Sequence, residues 1–287
     1  MRKNHTTKKP ADIALRFITY GAISITLFAL IYIVGFILVS GLPHLRPSLF
    51  AFNPPLDSIS ITPAIISTIL LILAALIIAV PLGIFAAIYL VEYAKRDNKA
   101  VKAIRLTTET LAGIPSIVYG LFGWLFFVGT LGWGQSLLSG AVTVSIMVLP
   151  LIIRTTEEAL KSVPDTFREG SFGLGAGRLR TVFRIVVPSA IPGILAGVIL
   201  AVGRIAGETA ALLLTAGGSA PSSLFPSSVF ESVRPLSVHM YLLVMEPAPG
   251  YFVESQNAAY ATAVVLLITV VGINALSAFV ARKLSKG

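Results

Sequence analysis

The amino-acid sequence predicts an all-α, polytopic membrane protein with six transmembrane helices. Three observations lead there. The 287 residues are 55% hydrophobic, with a mean hydropathy of +0.88. Only 12% are charged, about half the ~25% usual in soluble domains. Six apolar stretches alternate with polar ones, and a run of about 20 apolar residues is what the hydrocarbon core requires of a helix.

Residues 1–16 carry Arg2, Lys3, Lys8, Lys9 and Arg16 against Asp12 and are expected to form a tail. The next 26 residues, 17–42, hold no charge. As a helix they would measure about 39 Å, enough to cross a core of roughly 30 Å with tilt. A secretory signal has an apolar core of only about 7–15 residues, so this reads as an uncleaved first span. Pro43, Pro47, Pro54 and Pro55 make 43–61 an irregular loop. The second span is expected over 63–91, with a kink where Pro81 and Gly83 interrupt it. A basic loop follows over 92–107. The third span, 109–131, opens with LAGIPSIVYGLFG, in which Pro115 should bend the helix and Gly113, Gly120 and Gly123 should admit a close neighbour. A turn at 132–135 leads to the fourth span, 136–153.

Residues 154–188, RTTEEALKSVPDTFREGSFGLGAGRLRTVFRIVVP, form the longest polar interruption. Ser162, Pro164 and Asp165 read as a helix start. Gly173, Gly175 and Gly177 break that helix, because glycine takes the φ > 0 conformations of tight turns. A second helical pattern follows, with Leu179, Val182, Phe183, Val186 and Val187 on one face and Arg178, Arg180 and Arg184 mostly on the other. The segment therefore reads as helix, glycine turn, helix. Its pattern of Glu169, Gly170 and Ser171, then Gly175, then Ile185 through Pro188, resembles the EAA loop of ABC-importer permeases. Gly170 and Ser171 stand where alanine is usual, and Val187 where leucine is. The resemblance implies that Glu169, Gly170, Gly175, Ile185 and Pro188 shape a loop that seats in an ATP-hydrolysing partner.

The fifth span, expected over 190–216, holds Gly193/Gly197 and Gly203/Gly207, both spaced for helix packing. It also holds Arg204 and Glu208, the only charges well inside any span. Residues four apart share a helix face, so the two are expected to pair. Arginine's planar fork matches phosphate oxygens two at a time, and Thr209 adds a hydroxyl. The string RIAGET (204–209) and the run from Leu111 to Gly123 resemble phosphate-importer permeases, in which an arginine and an acid on this helix are associated with the substrate path, so Arg204, Glu208 and Thr209 are the expected path residues. Residues 217–257 are rich in Gly, Ser and Pro, with a short apolar patch, 238–245, too short to span. The sixth span covers 258–280, and Arg282, Lys283 and Lys286 close the chain.

Basic residues number five in the N-terminal tail, five in 92–107, six in 154–188 and three at the C-terminus, 19 of the 22. Only Arg46 and Arg234 lie in the opposite loops. The positive-inside rule thus places both termini and 154–188 in the cytoplasm. That distribution explains the net charge of +9 without a nucleic-acid partner. Cysteine is absent, and His5, His44 and His239 lack metal-ligand spacing and read as surface residues.

The chain also lacks a G-x-x-x-x-G-K-[ST] phosphate-binding loop and any cluster of groups placed for hydrolysis. It is expected to be a non-catalytic subunit without a cofactor of its own, ATP being bound by a partner. The domain expectation is a tail at 1–16, one six-helix permease domain over 17–281 and a tail at 282–287. The resemblance implies a type I, MetI-like importer permease in a bacterial or archaeal inner membrane. It further implies phosphate as cargo and, as partners, a second permease (PstC), an ATPase dimer (PstB) and a phosphate-binding protein (PstS). Two rivals remain open. One is a permease for molybdate or sulfate. The other is an ion-coupled secondary transporter, for which no internal repeat speaks.

Overall fold

A computed structural model describes residues 10–52, 60–95, 98–218, 224–247 and 252–284. The architecture is helical throughout, with no strand among the described residues. Among the described residues, five helical stretches are long and apolar enough to cross a membrane, and a sixth span results if one bent pair is counted as a unit.

The first helix, α1 (Pro10–Gly41), already runs through part of the expected tail. Nearly all its side chains are exposed, and it meets the rest of the chain at its far end, where Phe36 packs edge-on against Tyr260. The core lies among α2 (Thr62–Ile88), α5 (Leu137–Lys161) and α8 (Val187–Ala206). Ala75, Ala79, Val144, Val148 and Ala201 are wholly buried there. Small residues bring the axes close, and the Ser145 hydroxyl donates to the Ala75 carbonyl at 3.0 Å, joining α5 to α2. A β-carbon on Gly193 of α8 would lie 2.6 Å from that of Ala159 on α5, so the Gly193/Gly197 spacing is a packing seam as expected. Of the second pair, a β-carbon on Gly203 would lie 3.5 Å from the Asn274 side chain of the last helix, whereas Gly207 meets only its own helix.

Several expectations are corrected. The second span stays helical through Pro81 and runs past its expected end at 91, closing in a π turn, Tyr89–Tyr93. Most of the expected basic loop is an amphipathic helix, α3 (Lys99–Ala112). The third span is not continuous from 109: α3 stops at Gly113–Pro115, and α4 (Ser116–Gly123), extended by a π turn to Thr130, leaves at 102°. Proline has no N–H to continue the ladder and restricts the residue before it, so the bend expected at Pro115 is a full corner. Of the three glycines there, Gly120 packs against Ala211, while Gly113 touches nothing beyond its own turn.

The fourth span continues as helix to Lys161, well beyond 153. Ser162 closes that helix, its hydroxyl donating to the Ala159 carbonyl, and does not start the next one. The apolar patch at 238–245 lies in α10 (Leu236–Met245), whose first residues are buried. His239 is buried with them, contrary to its surface reading. The last span, α11 (Phe252–Leu284), exceeds its expected bounds at both ends. His5, Arg2, Lys3, Lys8, Lys9 and Lys286 lie outside the described residues.

Candidate functional site

The polar segment forms a helical hairpin. α6 (Asp165–Gly173) is its first arm. The second arm, α7 (Arg178–Thr181), runs through a π turn at Val182–Val186 straight into α8, so hairpin and fifth span share one continuous helical run. Gly175, at φ +80°, follows the end of α6. Its amide donates to Phe172 O and that of Ala176 to Ser171 O, at 2.9 and 3.1 Å. This is the Schellman arrangement, which needs a left-handed residue at that place. Ser171, buried, shares a 2.8 Å hydrogen bond with Thr181 and pins the two arms together.

Val182 and Val186 are buried as their spacing predicts, but Leu179 and Phe183 are exposed. With Phe167, Phe172 and Leu174 they give the hairpin an apolar outer surface. A cleft of about 410 Å³ between the arms is lined by Phe167, Gly170, Leu174, Arg180, Arg184 and Ile185. Among the predicted hairpin residues, Glu169 and Gly170 are exposed, Ile185 is half-buried, and Pro188 sits in the first turn of α8.

Two buried acids at this end of the bundle hold ion pairs that escaped the sequence reading. Arg168 reaches from α6 to Glu92 in the π turn after α2, with Nη2 2.7 Å from Oε1. The same guanidinium donates to Val163 O at 2.8 Å and Leu160 O at 2.9 Å. The Glu92 and Arg168 side chains are only 8% and 15% exposed. Breaking such a pair from one side costs about 3–5 kcal/mol, because it strands the other charge. Glu157 of α5, also buried, takes Lys161 at 2.6 Å and Arg105 of α3 at 3.5 Å. Glu92 stands directly where an apolar run ends, and Glu157 one helical turn beyond the end of another; those positions are the signal for them in the sequence.

The fifth span differs from expectation where it matters most. It stops at Ala206, and Gly207–Thr209 leave the helix before α9 (Ala210–Thr215) begins. A four-residue pairing needs an unbroken helix between its members. Arg204 and Glu208 accordingly form no ion pair. Glu208 Oε1 instead accepts the Ala211 amide at 3.2 Å and caps α9. The Glu208 carbonyl, freed by the break, accepts the Ser237 hydroxyl at 2.7 Å. Beside it, the Leu236 amide donates to Thr68 Oγ1 at 2.9 Å. In lipid, a break survives only where its freed backbone groups find partners, and for the Glu208 carbonyl α10 provides one.

Arg204 is exposed on the single chain, without an ion pair or hydrogen bond among the described residues. On α4, the Tyr119 hydroxyl donates to Leu111 O at 2.7 Å and ties α4 back to the end of α3. Thr209 faces elsewhere. It lines an apolar cavity of about 710 Å³ with Phe36, Ile117, Leu213, Tyr241 and Tyr260. The three predicted path residues thus occupy three settings, and the structure does not gather them into one site.

Residues 79–286 match the family described as binding-protein-dependent transport system inner membrane component. A probable ABC transporter permease protein of Bacillus subtilis, YqgI, is 38% identical over 69% of this chain and 70% of its own. The phosphate transport system permease protein PstA 1 of Mycobacterium tuberculosis is 37% identical over 72% of this chain and 65% of its own length. PstA of Yersinia pestis is 34% identical over 90% of this chain and 85% of its own. Among solved structures, a chain of a bacterial alginate ABC transporter superposes with a TM-score of 0.60 at 16% identity, over 97% of both chains. A chain of the inward-facing MetNI methionine ABC transporter gives 0.58 at 19% identity, over 77% of this chain and 93% of its own. Those likenesses concern the fold, which is that of ABC-importer permeases.

Proposed function

The chain belongs to the binding-protein-dependent transport system inner membrane component family, and from that premise we propose that it is the permease subunit of an ATP-driven importer of inorganic phosphate. The observation that carries this reading is its 34% identity, over 90% of the chain, to a permease named for phosphate transport. The residues supply a chemical reason. A cation within an apolar span costs from about 3 kcal/mol on insertion scales to over 10 in simulations if it faces lipid. Arg204 therefore faces a wet space or a partner. We place the phosphate path where a second permease, PstC, covers that face. Arg204 grips the anion there through its fork, and Glu208 fixes the break just beyond it. Thr209, set in the apolar cavity, is left outside the path.

ATP is bound by a partner, and the hairpin is the docking element. Its apolar outer residues and the cleft between its arms seat in an ATPase dimer, PstB, on the cytoplasmic side. The alternation of basic loops supports that orientation, with both termini inside. Closure of the ATPases moves the hairpin, and because α7 and α8 are continuous, the fifth span moves with it. A binding protein, PstS, delivers phosphate from outside.

The test is ATP-dependent uptake of labelled phosphate into vesicles holding the chain with PstC, PstB and PstS. Wild type should import phosphate, and Arg204→Ala should assemble and hydrolyse ATP without import. Equal import by both removes Arg204 from the path. Import of molybdate or sulfate in place of phosphate keeps the transport class and overturns the cargo.

A further inference from the structure

Span two is the core helix that the hairpin does not continue into. α5 joins the first arm through residues 162–164, and the second arm becomes α8. The chain leaves α2, by contrast, through the π turn at Tyr89–Tyr93, closed by the Ala94 amide on Tyr89 O at 2.9 Å. A π turn adds a residue to the helical ring and re-aims the side chains it holds. Here it sends Glu92 inward and leaves Tyr93 at the surface.

The hairpin holds this turn from both arms. From the first, Arg168 takes Glu92 with two nitrogens, Nη2 at 2.7 Å and Nε at 3.2 Å, while its remaining donors reach Leu160 and Val163 at the end of α5. From the second, the Arg178 guanidinium lies 5.3 Å from the centre of the Tyr93 ring, within cation–π range. Consecutive residues of span two are thus gripped by two arginines whose only covalent connection is the hairpin. A planar guanidinium bound on several sides transmits displacement better than a flexible ammonium.

Resting on the reading of the hairpin as the ATPase-docking element, we infer that the 89–93 turn is the receiver through which the hairpin drives span two. Arg168 and Arg178 are positioning residues in this scheme. Spans four and five are moved through the backbone, and span two through these two side-chain grips. The three helices of the core then respond together.

The experiment uses the natural absence of cysteine. Spin labels at Leu73→Cys on α2 and Val271→Cys on α11, both exposed positions, report the distance between the spans in the assembled complex, with and without ATP and vanadate. ATP should change that distance in the otherwise unaltered chain. Glu92→Gln should reduce the change by about half or more and lower phosphate imported per ATP about tenfold, with hydrolysis within about twofold. Tyr93→Leu, at the surface and safe for folding, should lower import per ATP about threefold, while Tyr93→Phe, which keeps the ring face, should not.

Unchanged distances and coupling in both Glu92→Gln and Tyr93→Leu overturn the inference. So does a Tyr93→Phe defect equal to that of Tyr93→Leu, since the loss would then follow a hydroxyl that Arg178 does not need. If the unaltered complex imports no phosphate, yet ATP moves span two and Tyr93→Leu blocks the movement, the receiver stands and the phosphate reading falls.

Discussion

Glu208 turns its carboxylate onto its own chain: Oε1 accepts the Ala211 amide at 3.2 Å, and Arg204, four residues earlier, is left without an acid. A capping role and an ion-pair role respond differently to substitution. Glutamine keeps an oxygen for the amide, whereas alanine keeps nothing. Glu208→Gln should therefore import phosphate within about threefold of wild type. Glu208→Ala should lose about 1 kcal/mol of stability with the cap and more activity than the glutamine variant. Uptake and thermal unfolding in detergent check both. Equal, severe loss in the two variants would return Glu208 to the role of counter-ion.

Arg204→Lys keeps the charge and loses the fork. If paired donors hold the anion, uptake should fall about tenfold despite the retained cation. Full activity in the lysine variant would mean that charge alone suffices at this position.

Gly175 closes α6 at φ +80°. A side chain with a β-carbon costs roughly 1–2 kcal/mol there, and asparagine tolerates the region better than most. Gly175→Leu should insert and assemble but lose import per ATP hydrolysed, with Gly175→Asn intermediate. Normal coupling in the leucine variant would rule out the hairpin as the docking element.

At Gly120 a β-carbon would lie 2.8 Å from Ala211 Cα, against backbone that has no room to yield. Overpacking of this kind costs about 1–3 kcal/mol. Gly120→Ala should lower the unfolding temperature of the purified complex. Gly21→Ala, on the open surface of α1, should leave it level or slightly higher, because alanine is the better helix former.

Burial, and secondarily the positive charge of Arg234, holds His239 down at about 4 from an ordinary 6.5. The unfolded chain takes up a proton at this residue between those values and the folded chain does not. Stability is thus full above about pH 6.5 and falls as the pH drops towards 4. Unfolding temperatures recorded across that range should decline in the native chain and decline less in His239→Leu.

Much of the fold was legible because membrane burial writes itself as long charge-free runs, and the runs containing Leu71, Val148 and Val264 each became a helix. What the runs do not encode is the place where a helix stops. Pro115 announced a bend, yet nothing local separated a kink from a 102° corner. The break after Ala206 was hidden further, since Gly207 resembles the packing glycine Gly193. Its stability depends on Ser237, which is 29 residues away in sequence from the carbonyl it satisfies. The hairpin was readable from Gly175, because a left-handed turn is a local requirement. Its grip on span two was not, because Arg168 and Glu92 are 76 residues apart and each alone reads as a solvated charge.

The exposed Arg204 bears on how the cell makes this protein. Translated without its companion, the chain carries an orphan cation on an apolar helix, where lipid accepts it poorly. Such a subunit should be short-lived, drawn out by membrane proteases or held at the insertion machinery until a companion arrives. On the path proposed above, Arg204 would then serve two ends, taking the anion and counting the subunits, which ties the lifetime of each half-transporter to the supply of the other.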